Sequence, residues 1–363
     1  MMRVLDPTLL LLWLAALGVG IVMVASATAP LVETAASLDR HLVYVGAGCA
    51  LFAACLALPT AFWQRVHRPL LLGAVVLAVL VLIPGVGHLV NGARRWIALG
   101  PVTLQAAEVG KIAMVVYLAG YAAKNDRALH EVSALVPPVI ALAALAMLYL
   151  LQPDFGTVVV LSLVTAGVLF AAGARFTHFL LVALAGAVVL GLLMVLQPYR
   201  VQRLVTFLDP WSDPWNSGYQ LTQALIAFGR GEWFGLGLGS GIQKLYYLES
   251  AHNDFIFAVI AEELGLVGAV AVFALLLALV YRLLRIARTA ALEGRAFGAY
   301  LAYGAAFVIV IQTFINVGVN TGALPTKGLT LPFVSYGGNS LLVCCTLVGL
   351  AMRVDLERGR AER

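Results

Sequence analysis

Long apolar runs, nearly free of charged residues, constrain this 363-residue chain more than any other feature of its sequence. Each run is about 16 to 27 residues long, and at about 1.5 Å of rise per residue it can cross a hydrocarbon core of about 30 Å as an α-helix. Hydrophobic residues make up 62% of the chain and charged residues 11%, against about 45–50% and about 25% in soluble domains. The sequence therefore excludes a water-soluble enzyme and predicts an all-α, polytopic membrane protein.

Gly, Pro and charged residues divide these runs into about ten predicted transmembrane helices. Together the helices predict a single membrane domain over residues 1–363. The predicted spans, with boundaries good to a few residues, are 9–29, 42–58, 69–84, 105–123, 134–151, 156–173, 179–197, 254–280, 298–318 and 338–353.

The distribution of Lys and Arg predicts the orientation of the helices. Basic residues are concentrated in the two termini and in the alternate loops 59–68, 124–133, 174–178 and 281–297. Because cytoplasmic loops carry an excess of Lys and Arg, both termini are predicted to be cytoplasmic. The net charge of +5 then reflects membrane orientation, and it does not imply a nucleic-acid partner.

One long segment, residues 198–253, is predicted to be a large extracytoplasmic loop within this domain. It mixes Arg, Asp and Gly with aromatic side chains, a composition typical of the lipid headgroup boundary. A loop of this size is usually functional. The aromatic residues are Trp211, Trp215, Tyr219, Trp233, Tyr246 and Tyr247.

Charged side chains inside the predicted spans are candidates for function, since an ionised group at the bilayer centre costs roughly 2.5–3.5 kcal/mol even on insertion scales. Glu108 and Lys111 lie three residues apart in the fourth span. This spacing allows them to form an ion pair on one helix face. The pair can serve the structure alone or take part in function, and the sequence leaves both open.

The eighth span carries Asp254 at its outer end and Glu262 further in. A helix would place Asp254, Ala258 and Glu262 on one face that leads from the outer surface into the protein. Asp254 can alternatively serve only as a favourable charge at a helix N-terminus.

Basic residues in the predicted outer loops are suited to a phosphate group. Arg binds phosphate oxygens in a bidentate manner, so a lipid-linked phosphate or diphosphate is the predicted ligand, and solvated loop charges are the alternative. No His, Cys, Asp or Glu cluster has the spacing of a metal site, so none is predicted. The basic residues are Arg94, Arg95, Arg200, Arg203, Lys244 and Lys327.

Four motifs spread over nearly the whole chain resemble those of the SEDS family of bacterial cell-wall synthesis. They are GARRWIALGP, QPDFGT at 152–157, AHNDFIFAVIAEELG from Ala251, and NTGALPTKGLTLPFVSYGGNS at 320–340. The segment FLDPWSDPWNSGYQ and the wording TKGLTLP are more similar to the division branch of that family than to its elongation branch.

The resemblance implies a peptidoglycan glycosyltransferase that polymerises lipid II at the outer face of the bacterial cytoplasmic membrane. It also implies a class B penicillin-binding protein as partner, with other membrane proteins of the division or elongation machinery. By position, Asp254 corresponds to the family's essential acidic residue. Glu108 with Lys111 corresponds to its Q-P-S-E-x-x-K element, although residues 105–107 read Q-A-A here.

In this implied reaction an acceptor 4-hydroxyl loses a proton while it attacks C1 of a donor whose leaving group is a lipid diphosphate. Asp254 would be the general base, and Arg200, Arg203 and Lys244 would stabilise the diphosphate, with or without a divalent ion such as Mg²⁺ or Mn²⁺. Two other functions stay open: a lipid II flippase or transporter, for which charges within the bundle would form the headgroup path, and a division scaffold without catalysis.

Overall fold

The computed structural model describes residues 5–29, 34–90, 93–99, 102–126, 128–175, 177, 191, 207–326 and 328–358. This part of the chain contains ten α-helices. They are α1 (Pro7–Thr28), α2 (Thr34–Ala57), α3 (Thr60–Leu82), α4 (Ala106–Asn125), α5 (Val136–Leu151), α6 (Phe155–Ala171), α7 (Tyr219–Gly231), α8 (Ile256–Leu292), α9 (Ala296–Asn320) and α10 (Gly338–Leu356).

Eight of the described helices are long and apolar enough to cross a membrane, which confirms the prediction of a mainly helical, polytopic membrane protein. They are α1 to α5 and α8 to α10, and α6 is a shorter apolar helix over the sixth predicted span. The seventh predicted span, 179–197, falls outside the described residues except for residue 191.

Two aspartates explain where α1 and α6 begin. The Asp6 carboxylate accepts hydrogen bonds from the backbone N–H groups of Thr8 (3.0 Å) and Leu9 (3.1 Å), and Pro7 occupies the first turn, where its missing N–H costs nothing. Asp154 caps α6 in the same way by accepting from Thr157 N at 3.2 Å. Each cap satisfies N–H groups that would otherwise lack partners at a helix start.

A small antiparallel sheet precedes α4, and the sequence analysis did not predict it. Its strands are β1 (His88–Val90), β2 (Ala93–Leu99) and β3 (Val102–Gln105), with β2 in the middle. The predicted phosphate-binding motif around Arg94 and Arg95 thus lies on the central strand. The Arg95 guanidinium donates to the carbonyls of Gln152 (2.9 Å) and Pro153 (2.7 Å), so it ties the sheet to the α5–α6 turn.

Helix α9 occupies the centre of the bundle, where it packs against α8, α4, α6 and α10. Small residues bring the backbones close: a Cβ added at Gly304 of α9 would lie 2.6 Å from Val115 of α4. Close approach through small residues is a common basis of helix packing in membranes. It makes α9 the helix from which a polar side chain can reach several neighbours.

Helix α8 is interrupted at Gly265, where φ is 70° and ψ is −173°. A Cβ at this position would lie 2.4 Å from Gly235 N, so a larger residue does not fit. The interruption leaves backbone N–H and C=O groups without partners inside the helix, and these pair with residues 232–237. Such pairing is needed because unpaired backbone groups are costly in apolar surroundings. The four bonds run from Leu236 N to Glu262 O (3.0 Å), Gly237 N to Glu263 O (3.0 Å), Leu266 N to Glu232 O (2.9 Å) and Val267 N to Trp233 O (3.1 Å).

The predicted loop 198–253 is described from residue 207 onward and is partly helical. It contains the 3-10 turn Pro210–Ser212 and α7, which packs against α8. Of its aromatic residues, Trp215 and Trp233 are 80% and 66% exposed. The position of this segment outside the cytoplasm stays a prediction.

Candidate active site

Asp254 lies in a turn immediately before α8, since the helix begins at Ile256 with Phe255 as its N-cap residue. The helical face predicted to join Asp254, Ala258 and Glu262 is therefore not formed at its outer end. The Asp254 side chain is half-buried rather than enclosed. It is accordingly open to a reacting group from one side.

The C-terminal loop, residues 328–337, covers the other side of this turn. A Cβ added at Gly328 would lie 2.8 Å from Asp254 Oδ2, so the carboxylate lies directly against a bare stretch of backbone. Tyr336 N donates to His252 O at 2.8 Å, and Ser335 Oγ donates to Asn253 O at 2.7 Å. The motifs at 251–265 and 320–340 are thereby joined around the carboxylate.

His252 is the titratable group next to this carboxylate along the chain. Its ring packs edge-on against Tyr336, with 5.5 Å between the centroids. Burial lowers the pKa of His252 below its ordinary value of 6.5, so the imidazole is neutral at pH 7. A neutral imidazole adds no positive charge beside Asp254.

Two buried asparagines of α9 hold the turn from below. Asn316 Nδ2 and Asn320 Nδ2 each donate to the Asp254 carbonyl at 2.9 Å. The sequence analysis did not consider either residue. A polar amide within the apolar span 298–318 is the sequence signal by which Asn316 could have been found, because buried amides in a membrane need hydrogen-bond partners.

Glu108 and Lys111 form the ion pair that their spacing allows, with 2.7 Å between Lys111 Nζ and Glu108 Oε1. Lys111 is only 1% exposed, and Tyr149 packs beside the pair against Gly110. The second carboxylate oxygen, Oε2, has no hydrogen-bond partner among the described residues. The pair is buried in the first turns of α4, and whether it also takes part in catalysis stays open.

Glu262 is fully buried and binds the segment that follows α7. Its carboxylate accepts from the backbone N–H groups of Ile242 (3.0 Å) and Gln243 (3.1 Å), and Arg230 Nε lies 3.4 Å away. These contacts satisfy the charge within the protein. They support a structural role for Glu262, which the sequence analysis had placed on a path leading in from Asp254.

Lys244 lies in a second buried ion pair, with Glu263. Its Nζ is 2.6 Å from Glu263 Oε1 and 2.9 Å from Ser26 Oγ of α1. Ser26 Oγ in turn donates to Glu263 Oε2 at 2.6 Å, and Gly239 N donates to the same oxygen. With its side chain 3% exposed, Lys244 contacts protein groups here, and its contact with a diphosphate stays a prediction.

Three of the six predicted phosphate-binding residues lie in the part of the chain that the structure describes. Arg94 is half-buried on β2, Arg95 is bound to two carbonyls, and Lys244 is paired internally. The remaining three, Arg200, Arg203 and Lys327, fall outside the described residues.

Metal binding has no support in the described ranges: they contain no group of three or more His, Cys, Asp or Glu residues that could hold an ion. The Mg²⁺ or Mn²⁺ considered from the sequence stays a prediction.

Fold and site together define a polytopic membrane protein with a polar, carboxylate-bearing site at one end of its helical bundle. Residues 7–360 match the family of cell cycle proteins named for FtsW, RodA and SpoVE, and the chain belongs to this family. The SEDS resemblance predicted from the four motifs is thereby confirmed.

Two relatives illustrate the sequence similarity, and both are named probable peptidoglycan glycosyltransferase FtsW. The chain is 50% identical over 348 residues to the protein of Nitrosococcus halophilus, and the alignment covers 94% of this chain and 90% of that one. It is 48% identical over 368 residues to the protein of Alcanivorax borkumensis, and the alignment covers 97% of this chain and 96% of that one.

Solved structures with the same fold include a chain of a peptidoglycan synthase complex in which polymerisation and crosslinking are coordinated. It matches with a TM-score of 0.81 and 32% identity over 98% of this chain and 99% of that one. The rod shape determining protein RodA of Thermus thermophilus matches with a TM-score of 0.72 and 28% identity over 98% of both chains.

Proposed function

We propose that this protein is a peptidoglycan glycosyltransferase of the division branch, which polymerises lipid II at the outer face of the bacterial cytoplasmic membrane. The observation that carries the proposal is the half-buried Asp254 carboxylate, lying against the backbone of Gly328 where the two longest family motifs meet. The names of the relatives support the activity and the branch.

Asp254 is suited to the role of general base. Its carboxylate is half-buried, and the lowered pKa of His252 keeps the neighbouring imidazole neutral at pH 7. Proton abstraction from the acceptor hydroxyl by a positioned carboxylate contributes about 10²–10⁴ to the rate. Cationic groups of the outer loops would stabilise the departing diphosphate, and Arg94, which is half-buried on β2, is a candidate among them.

The arrangement of the helix ends supports an orientation with both termini in the cytoplasm. Near the N-terminus, Asp6 pairs with Arg282 of α8 at 2.6 Å. Near the C-terminus, Glu357 accepts from Thr60 at the start of α3. These contacts tie together the ends of helices that point away from the Asp254 turn, and the region is rich in Arg, as the positive-inside rule expects of the cytoplasmic side.

A transpeptidase is the partner that fits this proposal. The matched synthase complex coordinates polymerisation with crosslinking, and a chain that polymerises needs a second protein to crosslink. We therefore propose a class B penicillin-binding protein as partner, together with other membrane proteins of the division or elongation machinery.

A lipid II polymerisation assay on the purified protein with its partner tests the proposal. We expect Asp254→Asn to lower the rate at least about a hundredfold, because the amide cannot accept the proton. The matched control is Glu249→Gln, which removes an exposed carboxylate five residues earlier and should leave the rate unchanged. Near-normal glycan synthesis by folded Asp254→Asn protein would overturn the assignment, and transfer of lipid II across vesicles without synthesis would favour a flippase.

A further inference from the structure

Asn316 of α9 links two separate segments of the chain through one amide nitrogen. Its Nδ2 donates to the Asp254 carbonyl at 2.9 Å and to the Leu329 carbonyl at 2.6 Å. The side chain is 1% exposed, so neither hydrogen bond can be replaced by bulk water. Leaving a buried carbonyl without a donor is costly. Both the Asp254 turn and the segment at Leu329 therefore depend on the Asn316 amide.

Asn320, one turn further along α9, links the same turn to the start of α8. Its Nδ2 donates to the Asp254 carbonyl at 2.9 Å, and its Oδ1 accepts from Ala258 N at 3.0 Å. The same N–H of Ala258 also donates to Phe255 O at 3.0 Å, so it is shared between the first turn of α8 and Asn320. Asn320 therefore attaches the Asp254 turn to the start of the helix.

Both asparagines bind the backbone carbonyl of Asp254 itself. A displaced Asp254 carbonyl moves the Cα of the same residue and with it the carboxylate. The other carbonyl bound by Asn316 belongs to Leu329, the neighbour of Gly328, whose backbone lies against Asp254 Oδ2. Asn316 thus binds both the residue that carries the carboxylate and the backbone segment that faces it.

We infer that Asn316, assisted by Asn320, is a positioning residue that holds the Asp254 carboxylate in its reactive place against residues 328–329. The inference rests on the proposed function, in which Asp254 is the general base. Misplacement of a reacting group by about 1 Å can cost about a hundredfold in rate. Loss of the Asn316 amide should therefore lower turnover while substrate binding is kept.

The first test compares Asn316→Ala and Asn320→Ala with the control Thr313→Val in lipid II polymerisation. Thr313 is buried on the same helix, and its hydroxyl bonds only within α9, to Ile309 O at 2.7 Å. We expect kcat to fall about 10- to 100-fold in Asn316→Ala and less in Asn320→Ala. KM for lipid II should stay within about twofold, and the control should match the parent. An unchanged kcat in Asn316→Ala, or a rise in KM alone, would overturn the inference.

The second test places Asn316→Ala in the Asp254→Asn background. If Asn316 acts through Asp254, the double variant should be no slower than Asp254→Asn alone, because two residues that act as a unit are not additive. A further loss equal to that in the parent would show a general structural role and overturn the inference. If Asn316→Ala does not fold, Asn316→Ser, which is polar but too short to reach both carbonyls, replaces it under the same criteria.

The two hypotheses fail in different ways. Normal polymerisation by Asp254→Asn would refute the proposed function, whatever Asn316 does. An inactive Asp254→Asn variant beside a fully active Asn316→Ala variant would refute the positioning role alone.

Discussion

At the scale of single residues, two adjacent glutamates of α8 have different partners. Glu262 is held by backbone N–H groups and faces Arg230, while Glu263 forms an ion pair with Lys244 and a hydrogen bond with Ser26. Buried charges are tolerated only when they are paired and hydrogen-bonded. Both glutamates meet that condition, and both attach the segment after α7 to the bundle.

We expect Lys244→Ala to lower the free energy of unfolding by about 3–5 kcal/mol, because it leaves Glu263 buried without its counter-charge. The measurement is thermal unfolding in detergent, with Glu249→Gln as the control. The double variant Lys244→Met/Glu263→Leu should recover part of the loss. Unchanged unfolding with lost polymerisation would instead support the diphosphate contact predicted from the sequence.

The Glu108–Lys111 pair allows a similar test. Lys111→Ala should lower the thermal stability in detergent by a few kcal/mol as well as the polymerisation rate, since the remaining carboxylate is 8% exposed and uncompensated. Glu108→Ala should do the same for the lysine. Lost activity with an unchanged melting temperature would assign the pair to catalysis rather than to structure.

His252 should make stability depend on pH. Burial lowers its pKa in the folded protein below 6.5, so the unfolded chain takes up this proton first as the pH falls. The contribution is constant above about pH 6.5 and is lost progressively below it, down to the folded pKa. Melting of the parent and His252→Gln between about pH 7.5 and 5.5 should show a steeper decline in the parent. Parallel curves would contradict this.

At the scale of secondary structure elements, the interruption of α8 is the feature that binds the segment after α7 to the bundle. Gly265 has a backbone conformation that only glycine adopts readily, with a cost of about 1–3 kcal/mol for other residues. Four of the backbone groups around the break have partners in residues 232–237. A continuous helix would offer these residues no such partners.

Gly265→Ala should therefore destabilise the protein by at least about 1–3 kcal/mol, because the methyl group would also collide with Gly235. The measurement is thermal unfolding in detergent. Gly46→Ala in α2 is the control, since a Cβ there meets nothing within 4 Å, and it should be neutral or slightly stabilising. Equal melting temperatures for the two variants would disprove the requirement for glycine at the break.

At the scale of the whole molecule, the Asp254 turn lies toward one end of the bundle, and the contacts of Asp6 and Glu357 lie toward the other. Cysteine labelling of intact cells with a membrane-impermeant thiol reagent tests this orientation, since three of the four native cysteines are buried. Glu249→Cys should be labelled from outside, and Arg358→Cys only after the cells are opened. Labelling of Arg358→Cys in intact cells would reverse the proposed topology.

The class of protein and its family follow from the sequence by itself. The tendency of a segment to enter the membrane is the sum over its own residues, so it can be read from the sequence alone. Nine of the ten predicted spans correspond to apolar helices. The remaining span, 179–197, falls almost wholly outside the described residues. The motifs in their linear order were enough to identify the family. Asp254 stood out because it is a carboxylate at the edge of an apolar run.

Only the tertiary structure decided which groups meet. Ser26 and Glu263 are 237 positions apart, and Asn316 reaches Asp254 across 62. Contacts between such distant residues depend on how the helices pack, and no local pattern of spacing encodes them. For the same reason Lys244 could be chosen as a ligand for phosphate from its charge, whereas its burial against Glu263 follows only from the packing of the segment after α7 on α8.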